Sequence, residues 1–373
     1  MNNMKIVTII GARPQIIKAA ALSRAIKKQY ADSIHEVIVH TGQHYDDNMS
    51  QVFFDELVIP KPDYNLHVGS ASHGVQTARM IEGIEKILLD EKPDCMVLYG
   101  DTNSTLAGAV AASKIHVPVV HIEAGLRSFN KRMPEEINRI VCDHCSTLLF
   151  TPTLAGFDNL AQEGFKMNND SPFTIDNPKV YHCGDIMYDN SLHFSTIADQ
   201  KANALQRLGL TEKPYVLATL HRDSNTDNPN RLSAILEAFS ELSEEITIVL
   251  PMHPRTRKHA ADYHPENVIV IEPVSFLEMV QLEKHASLVM TDSGGVQKES
   301  YFFQKPCVIL REETEWVEIV DCGAAVLAGA DSQRIIDAYH QLTGKPVPSP
   351  SGIYGDGHAA DRMVREIAAF CRS

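Results

Sequence analysis

The sequence lacks the features that define several large classes of protein. No stretch approaches the roughly 18 consecutive apolar residues of a membrane-spanning helix, and MNNMK leads directly into KIVTII without the apolar segment or cleavage site of a secretion signal. Basic residues are in the minority, since 34 Lys and Arg against 48 Asp and Glu give a net charge of −14, which disfavours coating of nucleic acid. We expect a cytoplasmic protein with no membrane and no nucleic acid among its partners.

The cysteines do not form a recognisable disulfide or metal framework. Their number, seven, is odd, and most of them lie within apolar runs. Cys142 and Cys145 match C-x-x-C, but no second pair completes a zinc site. We interpret the cysteines as buried or half-buried thiols, with metal or redox chemistry as the less favoured alternative, and we expect no metal.

Motifs of common nucleotide-dependent and hydrolytic enzymes are also missing. The turn after the first apolar run has neither the G-x-G-x-x-G of a dinucleotide site nor the G-K-[ST] of a P-loop, and no G-x-S-x-G occurs. These absences do not support NAD chemistry, simple ATP hydrolysis or an α/β-hydrolase. We expect no cofactor.

Length and patterning indicate two α/β domains. The 373 residues exceed the roughly 250 at which a single core stops growing, and 44% hydrophobic with 22% charged residues is a globular composition. Short apolar runs alternate with segments of helical period, which is typical of parallel sheets covered on both faces. Ligands bind at the carboxyl ends of such strands, so the predicted fold is α/β with two Rossmann-like domains facing a central cleft.

The predicted strands fall into two groups separated by a polar stretch between residues 177 and 213. They are 5–10, 35–40, 95–100, 117–122, 148–150, 215–220, 247–250, 268–271, 288–291, 307–310 and 325–327. We place the N-terminal domain at 1–185 and the C-terminal domain at 186–356. A last helix within 357–373 is expected to pack back on the first domain.

Basic side chains at two predicted strand ends suit an anion. GARP at 11–14 opens a helix whose free N–H groups favour phosphate, with Arg13 beside them, although a plain turn with a structural arginine is an equal alternative. His221 and Arg222 follow the strand YVLATL and precede the polar DSNTDN, which favours a ligand-facing loop over a core histidine. An imidazolium there would stabilise a leaving pyrophosphate, and His253 is a further polar residue for such a site.

The segment TDSGG at 291–295 is a more specific anion-binding pattern. Gly294 and Gly295 allow the backbone to approach a ligand, and Ser293 can cap the helix that follows. Glu299 lies where the hydroxyl groups of a ribose would need an acceptor. The alternative is an ordinary glycine turn with a capping serine.

The first half of the chain supplies carboxylates at predicted strand ends. Asp101 follows CMVLYG and Glu123 follows VVHI, so their side chains converge if the two strands are neighbours. Glu135 and Glu136 lie in the first turn of a helix, where acids often serve the helix dipole, and Glu136 alone is interpreted as structural. Together with Arg127 and Arg139, these acids form a connected polar group suited to proton transfer.

The chain resembles the non-hydrolysing branch of the UDP-N-acetylglucosamine 2-epimerase family over nearly its whole length. The resemblance rests on ordered segments: GARPQ, GQH, YGDTNSTLAG, HIEAGLR, MPEEINR, LHR, TDSGG-x-Q-x-E, REETE and YGDG. It implies the fold of GT-B glycosyltransferases, with UDP held mainly by the C-terminal domain, and a homodimer.

Matching motifs also imply roles for individual residues. Catalytic roles fall on Asp101, Glu123, Glu135 and His221. Substrate or UDP binding is implied for Arg13, Arg139, Arg222, His253, Ser293, Gly294, Gly295 and Glu299. The family reaction inverts C2 of a UDP-linked 2-acetamido sugar by anti elimination of UDP and re-addition through a 2-acetamidoglucal. The expected activity is therefore interconversion of UDP-N-acetylglucosamine and UDP-N-acetylmannosamine, with the facial role of each carboxylate left open.

Several segments depart from the family pattern. TEWVE at 314–318 replaces the usual TERPE and loses an arginine near the sugar, and CGDI at 183–186 replaces the usual TGNT. With GARPQ and TGQHYDDNMS, TEWVE is similar to the subgroup that acts on UDP-2,3-diacetamido-2,3-dideoxy-glucuronate in surface polysaccharide pathways, which makes this sugar the alternative substrate. In bacterial members, the resemblance implies a second, activating UDP-sugar site beside GQH. Gln43 and His44 match that site as a regulatory remnant, but Asp46 and SASHG at 70–74 depart from its pattern, which argues against regulation by substrate.

More distant alternatives are a GT-B glycosyltransferase, a hydrolysing epimerase and a UDP-sugar sensor without catalytic activity. The acids and the histidine argue against a sensor, because nucleotide binding alone would not need them.

Overall fold

The structure is a computed structural model that describes residues 3–42, 61–252, 254–259, 263 and 265–372. The chain divides into two compact units, of which one comprises Met1–Asn190 with Ile353–Ser373 and the other Ser191–Gly352. Each unit has one parallel sheet with helices between its strands. The predicted pair of parallel-sheet α/β domains is therefore confirmed.

The first unit contains a seven-stranded sheet in the order β3-β2-β1-β4-β5-β6-β7. Its strands are β1 (Met4–Ile10), β2 (Ile34–His40), β3 (Tyr64–Asn65), β4 (Cys95–Tyr99), β5 (Val119–Ile122), β6 (Leu148–Thr151) and β7 (Lys179–His182). Its helices are α1 (Arg13–Gln29), α2 (His73–Glu91), α3 (Asn103–Lys114), α4 (Pro134–His144), α5 (Leu154–Gln162) and α15 (Ala359–Phe370). The central strands β4 and β5 are buried along their whole length, as expected for apolar runs covered on both faces.

The final helix, α15, belongs to the first unit and packs against α1. Its first two backbone N–H groups, those of Ala359 and Ala360, donate to the carboxylate of Asp189 at 3.0 and 2.8 Å. Gly184 has φ +89°, and a Cβ there would lie 2.7 Å from the carbonyl oxygen of Tyr354, so only glycine permits this approach of the two segments.

The second unit contains a six-stranded parallel sheet in the order β10-β9-β8-β11-β12-β13. Its strands are β8 (Tyr215–Thr219), β9 (Thr247–Pro251), β10 (Val268–Ile271), β11 (Leu288–Thr291), β12 (Cys307–Ile309) and β13 (Ala325–Leu327). The helices between β7 and α15 are α6 (Ile186–Lys201), α7 (Ala204–Arg207), α8 (Asp223–Thr226), α9 (Pro229–Leu242), α10 (Pro254–His259), α11 (Phe276–His285), α12 (Gly294–Phe302), α13 (Val317–Asp321) and α14 (Ser332–Leu342). The unit boundary falls within α6.

All predicted strands are present, and their bounds differ by at most two residues from those expected. Two strands, β3 and β7, were not predicted. The first has only two residues, and the second has a single buried residue, Val180, and so lacks a continuous apolar run. No helix in the described part of the chain is long and apolar enough to cross a membrane.

Candidate active site

Asp101 and Glu123 lie at the carboxyl ends of adjacent strands of the first unit. β4 pairs with β5 in parallel, with Tyr99 opposite Ile122, so the two strands are neighbours as predicted. Glu123 follows β5 directly, and Asp101 lies two residues beyond β4. A Cβ at Gly100 would lie 3.1 Å from Glu123 Oε2, so the Glu123 carboxylate lies beside the residue that precedes Asp101.

Each of these carboxylates is paired with a cation. Arg139 Nη2 on α4 donates to Asp101 Oδ2, and Lys18 Nζ on α1 donates to Glu123 Oε2. The Asp101 side chain is 34% exposed and the Glu123 side chain 11%, so both carboxylates are partly accessible. The backbone of Glu123 is in the left-handed region, at φ +76°, a conformation that needs support from its surroundings.

The next two acids have different surroundings. Glu136 is buried and accepts hydrogen bonds from the N–H groups of Ser128 and Phe129, both at 2.9 Å, and from Arg139 Nη1 at 2.6 Å. Burial alone would raise the pKa of Glu136, but the Ser128 N–H and the Arg139 guanidinium lower it below its ordinary range. Glu136 therefore anchors the loop and Arg139, whereas Glu135 is exposed at the start of α4.

A side chain of α1 itself forms hydrogen bonds with N–H groups at the start of this helix. Gln15 Oε1 accepts from the N–H groups of Gly11 and Ala12 at 2.9 and 3.1 Å, and Gln15 Nε2 donates to the Tyr99 carbonyl at 2.9 Å. Two of the N–H groups expected to favour phosphate are therefore already bonded within the protein. Arg13 is exposed at the first position of the helix.

Lys18 was not among the residues predicted for the site. Its signal in the sequence is a single charged residue within the apolar run IIKAAAL, where a lysine requires a partner or a route to solvent. The residue that pairs with it, Glu123, is 105 positions away, and only the folded sheet brings the two together.

Asp292 organises the strand ends of the second unit. Its side chain is fully buried and accepts from the N–H groups of His221 and Arg222 at 3.0 and 3.1 Å and from Asn225 Nδ2 at 3.1 Å. This is possible because β8 and β11 are adjacent, with Thr219 opposite Thr291. The His221 and Arg222 side chains are exposed at this edge.

Ser293, Gly295 and Glu299 border one small space at the start of α12. Ser293 caps the helix by accepting from the N–H of Val296. A Cβ at Gly295 would lie 3.9 Å from both Ser293 Oγ and Glu299 Oε2. Gly294, like Gly295, lies in the first turn, where unbonded N–H groups attract anions.

The TEWVE segment packs on the first turn of α12. Trp316 Nε1 donates to the Gly294 carbonyl at 2.9 Å, and Lys298 Nζ lies 4.1 Å from the centre of the Trp316 ring. Glu315 accepts two hydrogen bonds from Arg311, at 3.0 and 2.9 Å. Burial would raise the pKa of Glu315, but the Arg311 guanidinium lowers it. The sequence marked this segment as a departure but could not predict its contact with Gly294.

Three of the predicted residues, Gln43, His44 and His253, lie outside the described residues. Among the residues that are described, no group of three or more His, Cys, Asp or Glu side chains is arranged to hold a metal ion.

Comparison with known proteins places these features in a family. The sequence profile described as "UDP-N-acetylglucosamine 2-epimerase" matches residues 25–368. The chain is 50% identical to UDP-2,3-diacetamido-2,3-dideoxy-D-glucuronate 2-epimerase of Pseudomonas aeruginosa, over 98% of this chain and 99% of the relative. It is 41% identical to UDP-N-acetylglucosamine 2-epimerase of Methanocaldococcus jannaschii, over 97% and 98% of the two chains.

Solved structures agree with the sequence comparison. The crystal structure of the Methanocaldococcus jannaschii enzyme with UDP-GlcNAc and UDP superposes with a TM-score of 0.84 at 40% identity, covering 98% of this chain and 100% of that one. The enzyme of Neisseria meningitidis bound to UDP-GlcNAc gives 0.83 at 30% identity, with coverage of 98% and 100%. The chain belongs to the UDP-N-acetylglucosamine 2-epimerase family.

Proposed function

We propose that the protein inverts C2 of a UDP-linked 2-acetamido sugar by anti elimination of UDP and re-addition through a 2-acetamidoglucal. The observation that carries the proposal is the placement of Asp101 and Glu123 on adjacent strand ends, each beside a cation. The C2 proton is poorly acidic because no carbonyl is attached to that carbon. Breaking the C1–oxygen bond to UDP as the C2–H bond breaks avoids a free carbanion.

The route needs a base on one face of the sugar and an acid on the other. We propose Asp101, Glu123 and Glu135 for these proton transfers. Lys18 and Arg139 hold the carboxylates that they contact in place, so that one acid can take the C2 proton from one face while another acid delivers a proton to the opposite face.

The departing UDP carries the negative charge that the second unit is suited to bind. We propose that His221 and Arg222 contact the pyrophosphate and that the first turn of α12, with Ser293 and Gly294, cradles a phosphate. The remaining proposed contacts, by analogy with the family pattern, are Arg13, Arg139, His253, Gly295 and, for the ribose, Glu299.

Two substrates are proposed. UDP-N-acetylglucosamine, giving UDP-N-acetylmannosamine, is the first, since several relatives are named for it. UDP-2,3-diacetamido-2,3-dideoxy-glucuronate is the second. The sequence identity favours this sugar, because the chain is 50% identical to the relative named for it and 41% identical to the Methanocaldococcus jannaschii enzyme named for UDP-N-acetylglucosamine. The Trp316 that replaces an arginine of the usual pattern supports the same choice. We therefore expect the higher kcat/KM on the diacetamido uronate.

The test is incubation of purified protein with each UDP-sugar in D₂O, followed by NMR. The expected result is deuterium at C2 with the UDP-sugar otherwise intact. Release of UDP with free sugar would indicate a hydrolysing epimerase. Absence of C2 exchange with both sugars would overturn the proposal, and turnover only after addition of an acceptor would indicate a glycosyltransferase.

We also propose that the protein is a homodimer and that it is cytoplasmic. The family resemblance supports a homodimer, and the sequence supports a cytoplasmic protein. Light scattering coupled to size-exclusion chromatography tests the first, and fractionation of the source cells tests the second.

A further inference from the structure

A buried group of charged side chains lies against the ends of β4 and β5. His121 on β5 and Asp143 on α4 are fully buried, and Arg127 is 1% exposed. His121 Nδ1 lies 2.6 Å from Asp143 Oδ1, and Arg127 Nη1 lies 2.7 Å from Asp143 Oδ2. Arg127 also donates to Glu163 at 2.7 and 2.6 Å. The proposed elimination uses none of these side chains, which we call the His121 cluster.

The hydrogen bonds of His121 define its charge. Nε2 lies 2.8 Å from the Gly100 carbonyl oxygen, which can only accept, so Nε2 carries a proton. The Asp143 carboxylate also accepts from Arg127 and from the N–H of Gly125 at 3.1 Å, so it is ionised and Nδ1 must donate as well. The ring is therefore an imidazolium.

The electrostatic surroundings agree with this charge. Burial alone would lower the pKa of His121, but Cys142 and Asp143 on α4 raise it well above its ordinary value. Burial would raise the pKa of Asp143, but His121 and Arg127 lower it. A buried charge is tolerated when it is paired and fully hydrogen bonded, and here both ring N–H groups have acceptors.

The cluster holds both loops that carry the proposed catalytic acids. The Gly100 carbonyl, bound by His121, belongs to the residue before Asp101, and the Gly125 N–H, bound by Asp143, lies two residues after Glu123. The Gly100 N–H also donates to the Ile122 carbonyl at 3.0 Å. Glu123 has a left-handed backbone at φ +76°, which a residue other than glycine keeps only with support from its surroundings, so its loop needs such an anchor.

We propose that His121 is a positioning residue for the 2-epimerisation, because its imidazolium fixes the Gly100 peptide and thereby sets Asp101 relative to Glu123. The inference rests on the proposed function and deepens it. His121 does not touch the sugar, since its ring is enclosed and both of its nitrogens are occupied by protein acceptors. A misplacement of about 1 Å at a reacting group can cost about 100-fold in rate.

Two substitutions separate the two hydrogen bonds of the ring. The amide nitrogen of Asn lies where Nδ1 is, and that of Gln where Nε2 is. His121→Gln keeps the donor to Gly100, whereas His121→Asn keeps only the donor to Asp143. We expect kcat for C2 exchange to be about tenfold or more lower in His121→Asn than in His121→Gln, with KM and UDP affinity alike in both.

The control is His116→Asn, an exposed histidine just before β5, which should leave kcat unchanged. Equal kcat in the two His121 variants, or losses that follow their Tm values alone, would overturn the proposal. If neither variant accumulates as folded protein, Arg127→Lys replaces them, because it loosens Asp143 from the side opposite the ring. A lower kcat at unchanged UDP affinity is then expected, and an unchanged kcat would overturn the proposal.

The charge of the ring is measured on the unsubstituted protein. With ¹⁵N-labelled histidine, one imidazolium with two slowly exchanging N–H protons should persist from pH 6 to 9. Loss of either proton in that range would overturn the positioning model. This result does not depend on turnover, whereas absence of C2 exchange in the unsubstituted protein would instead reject the proposed function.

Discussion

Lys18 of α1 forms an ion pair with Glu123, which follows β5 105 residues later in the chain. Both side chains are only 11% exposed, so water screens the pair weakly. Without the ammonium group, the largely buried carboxylate would lose a hydrogen-bond donor and a partner of opposite charge. Lys18 therefore fixes the position of the Glu123 carboxylate.

The first prediction concerns this ion pair. Lys18→Met should reduce the rate of C2 exchange by about 100-fold, because the Glu123 carboxylate loses the group that fixes it, and a misplacement of about 1 Å at a reacting group can cost about 100-fold in rate. UDP affinity should stay the same when measured by calorimetry, since UDP binding is proposed for other residues. The matched control is Lys28→Met, an exposed lysine on the same helix, which should be fully active. A fully active Lys18→Met would contradict the role of the pair.

Asp101→Asn should abolish C2 exchange while UDP binding stays nearly unchanged. The amide keeps the shape of the carboxylate but cannot take up a proton, so a loss of about 100- to 10,000-fold is expected. NMR in D₂O measures the exchange, and calorimetry measures UDP affinity. Asp32→Asn, at an exposed position, serves as the control. An equal loss of exchange and of UDP binding would mean that Asp101 is structural.

The strands that carry these acids were predictable because β4 and β5 are continuous apolar runs followed by polar residues. Their adjacency was an inference from the usual pairing of consecutive strands in parallel sheets, and it holds. Arg139 was expected near these acids, whereas the pairing of Lys18 with Glu123 could not be predicted, since Lys18 comes from a helix that precedes both strands. A sequence pattern does not report contacts between residues so far apart.

The charged state of His121 in the first unit could not be predicted from the sequence either. His121 lies inside the apolar strand VVHI, where a histidine is ordinarily satisfied by backbone, and its two acceptors come from Gly100 and Asp143. Gln15 shows that a local side chain can also overturn a prediction. It accepts hydrogen bonds from two N–H groups that the turn pattern predicted to be available for phosphate. Local patterns predict the strand and the turn, whereas tertiary contacts decide which polar groups remain for a ligand.

The pH dependence of the free energy of unfolding should show the contribution of the ionised Glu136 carboxylate. Its pKa is lowered in the folded protein, so its contribution to stability is fully present above the unfolded pKa of about 4.3 and is lost as pH falls through the lowered folded value. Glu136→Gln should lower the free energy of unfolding by about 2–4 kcal/mol at pH 7, since Arg139 loses a buried partner. Urea unfolding from pH 7 to about 2 should show this difference narrowing below about pH 4.3.

Glu135→Gln is the matched control for that series. Glu135 is exposed and adjacent in sequence, so the substitution should change stability by less than about 0.5 kcal/mol at every pH. A difference between wild type and Glu136→Gln that stays constant with pH would show that the ionised carboxylate is not the stabilising form.

Gly125, two residues after Glu123, should not tolerate a side chain. Its φ is +79°, and a Cβ would lie 2.2 Å from the carbonyl oxygen of Gly156, a backbone atom that cannot move aside cheaply. Gly164 has a similar φ of +94°, but a Cβ there meets nothing within 4 Å. Gly164→Ala should therefore lose only the cost of a left-handed alanine, about 1–2 kcal/mol, and Gly125→Ala about 1–3 kcal/mol more. Urea unfolding measures both, and equal losses would show that the Gly156 contact relaxes without cost.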